Sequence, residues 1–167
     1  EGVQIEKIFM NIENKNIIFG DGNLAKELFS FAKLIEKDTK FIGKRELEAL
    51  DLGHIKMSNV GAFAIGESLR MNSTLKEINL NGNGIGIEGA IAIGNVLKEN
   101  SILRKITLAH NEFGNEGIIE IANGLKENSS ITEIDLSYNN IGLQGAIAIS
   151  EVLVQNSTLQ EIDLTGN

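Results

Sequence analysis

The chain contains no cysteine among its 167 residues. Neither a disulfide framework nor a cysteine-ligated zinc site can therefore form. We expect an intracellular setting, because the reducing interior of a cell suits a cysteine-free chain. That setting is either the cytoplasm or, for a secreted effector, the cytoplasm of a host cell.

Long apolar runs and positive charge are also scarce. Uninterrupted apolar stretches are short, as at residues 17–19, whereas a membrane-spanning helix needs about 20 residues. Against 23 acidic residues stand 15 basic ones, which gives a net charge of -8. This charge repels phosphate backbones and anionic lipid surfaces. We therefore expect neither a nucleic-acid nor a membrane partner for what has the length and hydrophobicity of one compact domain.

The sequence repeats at an interval of 28 residues. The recurring apolar positions are Leu75, Leu103, Ile131 and Leu159; Ile78, Ile106, Ile134 and Ile162; and Leu80, Leu108, Leu136 and Leu164. An asparagine column closes the copies, and it consists of Asn83, Asn111, Asn139 and Asn167. The same interval carries Leu47, Leu50 and Leu52 into an earlier copy. Four complete repeats thus run from 47 to 158, and a final strand begins at 159.

Each repeat has the pattern of a short strand followed by a helix. Residues 78–81 alternate between apolar and polar, which is the period of a strand with one buried face. One helical stripe is apolar and the opposite side is polar, as in Ala90, Ile93, Gly94 and Leu97 against Glu88, Asn95 and Glu99. Neither element can bury its apolar face alone, so the repeats must stack. The predicted fold is α/β, a right-handed solenoid or horseshoe fragment with parallel strands on the concave side and helices on the convex side.

The asparagine column has a structural interpretation. Where the chain leaves each strand, backbone groups are buried without ladder partners, and an amide side chain offers both a donor and an acceptor. Each such hydrogen bond contributes about 1 kcal/mol net. We therefore expect Asn83, Asn111, Asn139 and Asn167 to form a structural spine and not a ligand site.

These residues carry a family resemblance. The pattern Leu-x-x-Ile-x-Leu-x-x-Asn-x-Ile-Gly-x-x-Gly-Ala, followed by a helix ending in Leu-Lys-x-Asn-Ser, resembles the leucine-rich repeat of the ribonuclease-inhibitor type. Such repeats also occur in NOD-like innate-immune receptors, in Ran GTPase-activating proteins and, more divergently, in tropomodulin. The resemblance covers residues 47–167. It implies the solenoid fold but no single function, because this fold hosts many binding roles.

Residues 1–46 lie outside the clear register. Residues 23–37 combine an apolar stripe with lysines and glutamates, which predicts a helix of three to four turns. We interpret 1–46 as an N-terminal helical cap over the first repeat, with Ile5, Ile8, Phe9 and Ile12 in a second element. Residues 47–167 then form one continuous domain, which we expect to be part of a longer repeat array.

Strand alternation places three residues of each repeat on the concave face. The candidate partner-binding residues there are Glu77, Asn79, Lys105, Thr107, Glu133, Asp135, Glu161 and Asp163. Neighbouring strands lie about 4.8 Å apart, so the last four should form an acidic cluster able to receive a basic segment of a partner. A solvated sheet face is the alternative, and a calcium site has less support because the spaced ligands of an EF-hand are missing.

One column, at the rim where strand becomes loop, contains both histidines. It reads His54, Gly82, His110, Tyr138 and Gly166. Because His54 and His110 lie two repeats apart, about 10 Å, they cannot share a metal ion. We interpret His110 and Tyr138 as a contact pair that either anchors a partner or simply packs at the rim. No metal site, cofactor or catalytic constellation is expected.

A glycine motif at residues 84–89 imitates a dinucleotide-binding fingerprint. It follows a predicted strand and opens a predicted helix, as that fingerprint requires. The acidic residue expected at the end of the next strand is absent, however, because residues 107–110 read Thr-Leu-Ala-His. Gly86 and Gly89 also recur in later copies, so they belong to the repeat.

The sequence leaves three functional hypotheses open. The first is a non-enzymatic protein-interaction module that uses the concave face and rim. The second is a recruiting or regulatory region of a larger effector, receptor or GTPase-activating protein. The third is weak end-to-end self-association through the last strand, whose Leu159, Ile162 and Leu164 have no later repeat in this sequence to cover them.

Overall fold

The computed structural model describes residues 8–11, 16–19 and 48–167. Strand β1 (Ile8–Asn11) pairs antiparallel with β2 (Asn16–Phe19). These eight residues fall within the predicted helical cap but are strands, in keeping with the β-branched pair Ile17 and Ile18. The helix predicted over 23–37 lies outside the described residues, as do Ile5 and Ile12, so the cap itself stays a prediction.

From residue 48 onwards, short strands alternate with helices. The elements are β3 (Ala49–Asp51), α1 (Ser58–Met71), β4 (Glu77–Asn79), α2 (Ile87–Glu99), β5 (Lys105–Thr107), α3 (Gly114–Glu127), β6 (Glu133–Asp135), α4 (Leu143–Gln155) and β7 (Glu161–Asp163). Strands β3 to β7 form one parallel sheet in sequence order. Each residue pairs with the one 28 positions later, as Ile78 does with Ile106. The predicted parallel α/β architecture is confirmed.

The core lies between the sheet and the helices. The central residue of each inner strand is buried, and so is the leucine that follows two positions later, as with Ile106 and Leu108. The helix stripe of Ala90, Ile93, Gly94 and Leu97 is buried, whereas Glu88, Asn95 and Glu99 are exposed. The predicted amphipathic pattern is therefore confirmed for this helix.

Packing between the helices depends on small residues. A side chain at Gly124 of α3 would overlap the carbonyl oxygen of Gly94 in α2, so these two backbones approach closely. Between α1 and α2 the contact is looser, because a Cβ atom at Gly66 would lie 3.2 Å from the Cγ2 atom of Val96. Helices ordinarily pack about 8–10 Å apart and strands about 4.8 Å apart, so the stack curves with the sheet inside.

The loops before α2 and α4 share one set of hydrogen bonds to an asparagine of the preceding repeat. The Oδ1 atom of Asn59 accepts hydrogen bonds from the N–H groups of Gly86 and Gly89, which begin the next helix, at 2.7 and 3.2 Å. Asn115 makes the same two contacts with the start of α4, each at 2.9 Å. The amide thus satisfies N-terminal donors of a helix in the following repeat. A 56-residue period, two repeats long, is superimposed on the 28-residue one.

Candidate functional site

The asparagine column forms a ladder of hydrogen bonds between repeats. The Oδ1 atom of Asn111 accepts from the N–H groups of Asn83 and Ile85 at 3.1 and 3.0 Å. Its Nδ2 atom donates to three carbonyl oxygens, of which that of Leu108 is nearest at 2.9 Å. The other members, Asn83, Asn139 and Asn167, donate to the equivalent carbonyl oxygens. Their amides are therefore engaged by the fold.

A second asparagine column lies at the other end of the helices. The residues that cap the C-terminal ends of α1 to α4 are Asn72, Asn100, Asn128 and Asn156. The Oδ1 atom of Asn128 accepts from the N–H groups of Ser130 and Ile131 at 2.8 and 2.7 Å, and its Nδ2 atom donates to the carbonyl of Leu97 in the preceding repeat at 2.6 Å. The 28-residue recurrence of this column is visible in the sequence, but its role depends on a contact with the preceding repeat.

The first concave column, Glu77, Lys105, Glu133 and Glu161, contains one positive charge among three negative ones. Lys105 on β5 forms an ion pair with Glu133 on β6. This hydrogen bond raises the pKa of Lys105 above 10.5, and Glu77 and Glu161 add attraction while burial opposes it. Glu77 and Glu161 are exposed, whereas Lys105 and Glu133 are half-buried. The column is therefore partly neutralised in its middle and acidic at β4 and β7.

In the second concave column, Asn79, Asp135 and Asp163 accept hydrogen bonds from the residue two positions later in their own repeat. The Oδ1 atom of Asp135 accepts from the N–H and hydroxyl groups of Ser137 at 2.9 and 2.7 Å. Asp163 accepts from the N–H group of Thr165 at 2.8 Å, and hydrogen bonding to Thr165 lowers the pKa of Asp163 below 3.8. Asn79 accepts in the same way from Asn81 at 2.9 Å. These carboxylate and amide oxygens hold the turns that follow the strands.

The predicted acidic cluster is in register, but it is uneven. Glu133 lies opposite Glu161, and Asp135 lies opposite Asp163, on adjacent strands. The two on β6 already have polar partners, and the two on β7 are exposed. Thr107, on β5, is half-buried between Asn79 and Asp135. Within this cluster the solvent-exposed negative charge therefore lies at β7, although Asp163 is also bonded to Thr165.

The rim column shares one unusual backbone conformation. All five residues have a φ between 52° and 70°, and they are His54, Gly82, His110, Tyr138 and Gly166. The rings of His110 and Tyr138 are stacked, with centroids 4.3 Å apart and planes inclined by 6°. Each glycine follows a ring: a side chain at Gly82 would overlap His54, and one at Gly166 would overlap Tyr138. Tyr138 is still 49% exposed.

His54 and His110 do not come together. The ring of His54 lies against Gly82, whereas that of His110 lies against Tyr138. Within the described residues, no group of three or more histidine, cysteine or acidic side chains could hold a metal ion.

In the glycine motif at 84–89, two backbone N–H groups are already hydrogen-bonded. The N–H groups of Gly86 and Gly89 both donate to Asn59. A dinucleotide phosphate would need such amides unoccupied at the helix N-terminus. The glycines here serve the contact between repeats.

None of the helices in the described part of the chain is long and apolar enough to cross a membrane.

Comparisons with known proteins agree with the repeat pattern. A family model described as a leucine-rich repeat matches residues 72–94, 99–122 and 127–150. No curated protein sequence matches the chain significantly.

Leiomodin-1 and tropomodulin are among the solved structures that share the fold. Leiomodin-1 Actin-Binding Site 2 aligns with a TM-score of 0.72 and 20% identity, over 86% of this chain and 80% of its own. The tropomodulin C-terminal domain from Caenorhabditis elegans aligns with a TM-score of 0.71 and 13% identity, over 83% of each chain. At these identities the similarity establishes the fold alone.

Proposed function

We propose that this chain, a leucine-rich-repeat solenoid, is a non-enzymatic module that binds a protein partner through its concave face and rim. The observation that carries the proposal is the exposed group at the last two strands, which consists of Tyr138 at the rim and the carboxylates of Glu161 and Asp163 on β7. The N–H group of Tyr138 donates to the carbonyl of Thr165 at 2.9 Å, which ties the rim of β6 to the end of β7. Tyrosine is enriched among the residues that contribute most to protein-protein binding.

The partner surface should be basic. The concave candidates comprise five carboxylates and one ammonium group, and Glu133 is already paired with that ammonium group. Lysine or arginine side chains of a partner would meet Glu161 and Asp163 without first displacing an internal partner cation. Stacking on His110 holds the Tyr138 ring in place, so less side-chain entropy is lost when a partner binds.

The test is affinity capture with matched variants. Proteins captured by the wild type should be lost with Tyr138→Ala and Glu161→Lys, and retained by Glu127→Lys. The control makes the same charge change as Glu161→Lys, but on the helical side, where Glu127 pairs with Lys98 at 3.3 Å. Equal capture by all four proteins would remove the concave face from consideration.

Actin is the first defined partner to test, because one structure of the same fold is Actin-Binding Site 2 of leiomodin-1. Purified actin should bind the wild type in co-sedimentation and bind Glu161→Lys less, if this chain shares that partner. The alternative role, a recruiting or regulatory region of a larger effector, receptor or GTPase-activating protein, would be favoured by a catalytic or nucleotide-binding domain in the adjoining sequence.

A further inference from the structure

The outer, helical face carries an apolar column that is exposed in three of its four copies. The same repeat position is apolar in all four helices, and its residues are Phe63, Ile91, Ile119 and Ile147. Phe63 is 54% exposed, Ile91 42% and Ile147 45%, and Ile119 is half-buried. Ile87 and Leu143, one turn earlier in α2 and α4, are exposed beside it. We call these six residues the outer stripe.

Charge around the outer stripe is of one sign. The first eight residues of each helix contain no lysine or arginine, but they include Glu88, Glu116 and Glu120. Glu88 accepts a hydrogen bond from the Nδ2 atom of Asn59 at 2.7 Å. The basic residues of the helices are all near their C-terminal ends.

Those C-terminal ends are internally neutralised. Arg70 pairs with Glu99 at 3.3 Å, which links α1 to α2, and Lys98 pairs with Glu127 across the next helix pair. Lys126 of α3 pairs in the same way with Glu151 of α4. Unpaired negative charge on the helical face therefore lies beside the outer stripe and not elsewhere on these helices.

We propose that the outer stripe binds an amphipathic helix of a partner protein, one with basic residues beside its apolar side. An exposed apolar patch bordered by charge is the mark of a protein-binding surface. A second copy of this chain is a poor occupant, since its own acidic borders would face these. An anionic lipid surface is excluded in the same way.

The spacing of the helices sets the pattern of the partner. Packed helices lie about 8–10 Å apart, and a helix rises about 10.5 Å in seven residues. A partner helix lying across the stripe would therefore present one apolar residue to each helix if its apolar residues recur every seventh position. This side-chain recognition needs no free strand edge, which the outer face lacks.

The probe is a synthetic peptide of about 22 residues, long enough at about 1.5 Å per residue to cross four helices. It carries leucine at every seventh position and lysine beside each leucine. The control peptide has the same composition with the leucines distributed around the helix. Fluorescence anisotropy should show binding of the first peptide and not of the second.

Variants of the protein locate the site. Ile91→Gln combined with Ile147→Gln should raise Kd about tenfold or more, as loss of central apolar anchors does. Met71→Gln is the matched control, because Met71 is 67% exposed at the far end of α1, and it should change Kd less than about twofold. Glu116→Gln should weaken binding and reduce its dependence on salt.

Each alternative outcome is decisive. Equal binding of both peptides, or unchanged binding by the Ile91 and Ile147 double variant with a normal circular dichroism spectrum, overturns the proposal. Self-association of the wild type that the double variant abolishes, without peptide binding, would identify a second copy as the occupant. Glu161→Lys should leave peptide binding intact, so this test is independent of the concave face.

Discussion

Gly82 and Gly84 together separate two free-energy costs of adding a side chain: that of the left-handed backbone conformation and that of steric overlap. Gly82 has a φ of 64°, and a side chain there would overlap the ring of His54. Gly84 has nearly the same φ, 61°, with nothing within 4 Å of the added Cβ atom. Gly84→Ala therefore measures the conformation alone, and Gly82→Ala measures the conformation plus displacement of the imidazole.

The magnitudes follow from these contacts. A left-handed alanine costs about 1–2 kcal/mol, partly offset by about 0.4–1 kcal/mol from the reduced entropy of the unfolded chain. Gly84→Ala should thus lower the free energy of unfolding by about 1 kcal/mol. Gly82→Ala should cost about 1 kcal/mol more, because exposed His54 must leave its rotamer.

Urea unfolding followed by circular dichroism measures both changes, and a double-mutant cycle assigns the difference. Combining Gly82→Ala with His54→Ala should remove the extra cost, so that the coupling energy is about 1 kcal/mol. Equal destabilisation by Gly82→Ala and Gly84→Ala, or a coupling energy near zero, would refute the view that the ring of His54 is why residue 82 is glycine.

Three further outcomes are expected. Asn111→Ala should cost about 2–6 kcal/mol, because two buried N–H groups lose their acceptor at about 1–3 kcal/mol each, whereas exposed Asn95→Ala should change urea stability by less than about 0.5 kcal/mol. The raised pKa of Lys105 means that its ion pair contributes fully below pH 10.5 and is lost as the pH rises through the folded-state pKa; NMR titration should show Glu133→Gln lowering that pKa. Leu164, directly after β7, is 37% exposed, so light scattering should detect weak self-association that Leu164→Ser reduces, and a monomer at high concentration would contradict this.

The fold was predictable because the repeat states the same pattern several times. Strand alternation and the helical stripe recur at each 28-residue step, so the pattern does not depend on a coincidental match in any one copy. The 56-residue period was not predicted, because Asn59 and Asn115 supply only one repetition of it. Their role also depends on contact with a helix in the following repeat, which local propensity does not encode.

The candidate site was predictable only in outline. Alternation correctly places Glu133 and Asp135 on the same sheet face as Glu161 and Asp163, but it does not reveal which carboxylates are already engaged. That depends on the neighbour 28 residues away, as with Lys105, and on the turn that follows the strand, as with Asp135. A charge on a concave face is available to a partner only after these internal contacts are subtracted.

Internal contacts also distinguish recurring residues that serve the fold from those that are available to a partner. Asparagine, leucine and glycine recur because each has an internal partner or a close backbone beside it, so their recurrence carries no message about binding. Ile91 and Ile147 are two-fifths or more exposed, at a position where only Ile119 packs against the core, and folding stability places little demand on an apolar side chain that is exposed. Recurrence without burial therefore distinguishes the outer stripe from the structural columns, and it makes the helical face a second surface to test beside the concave one.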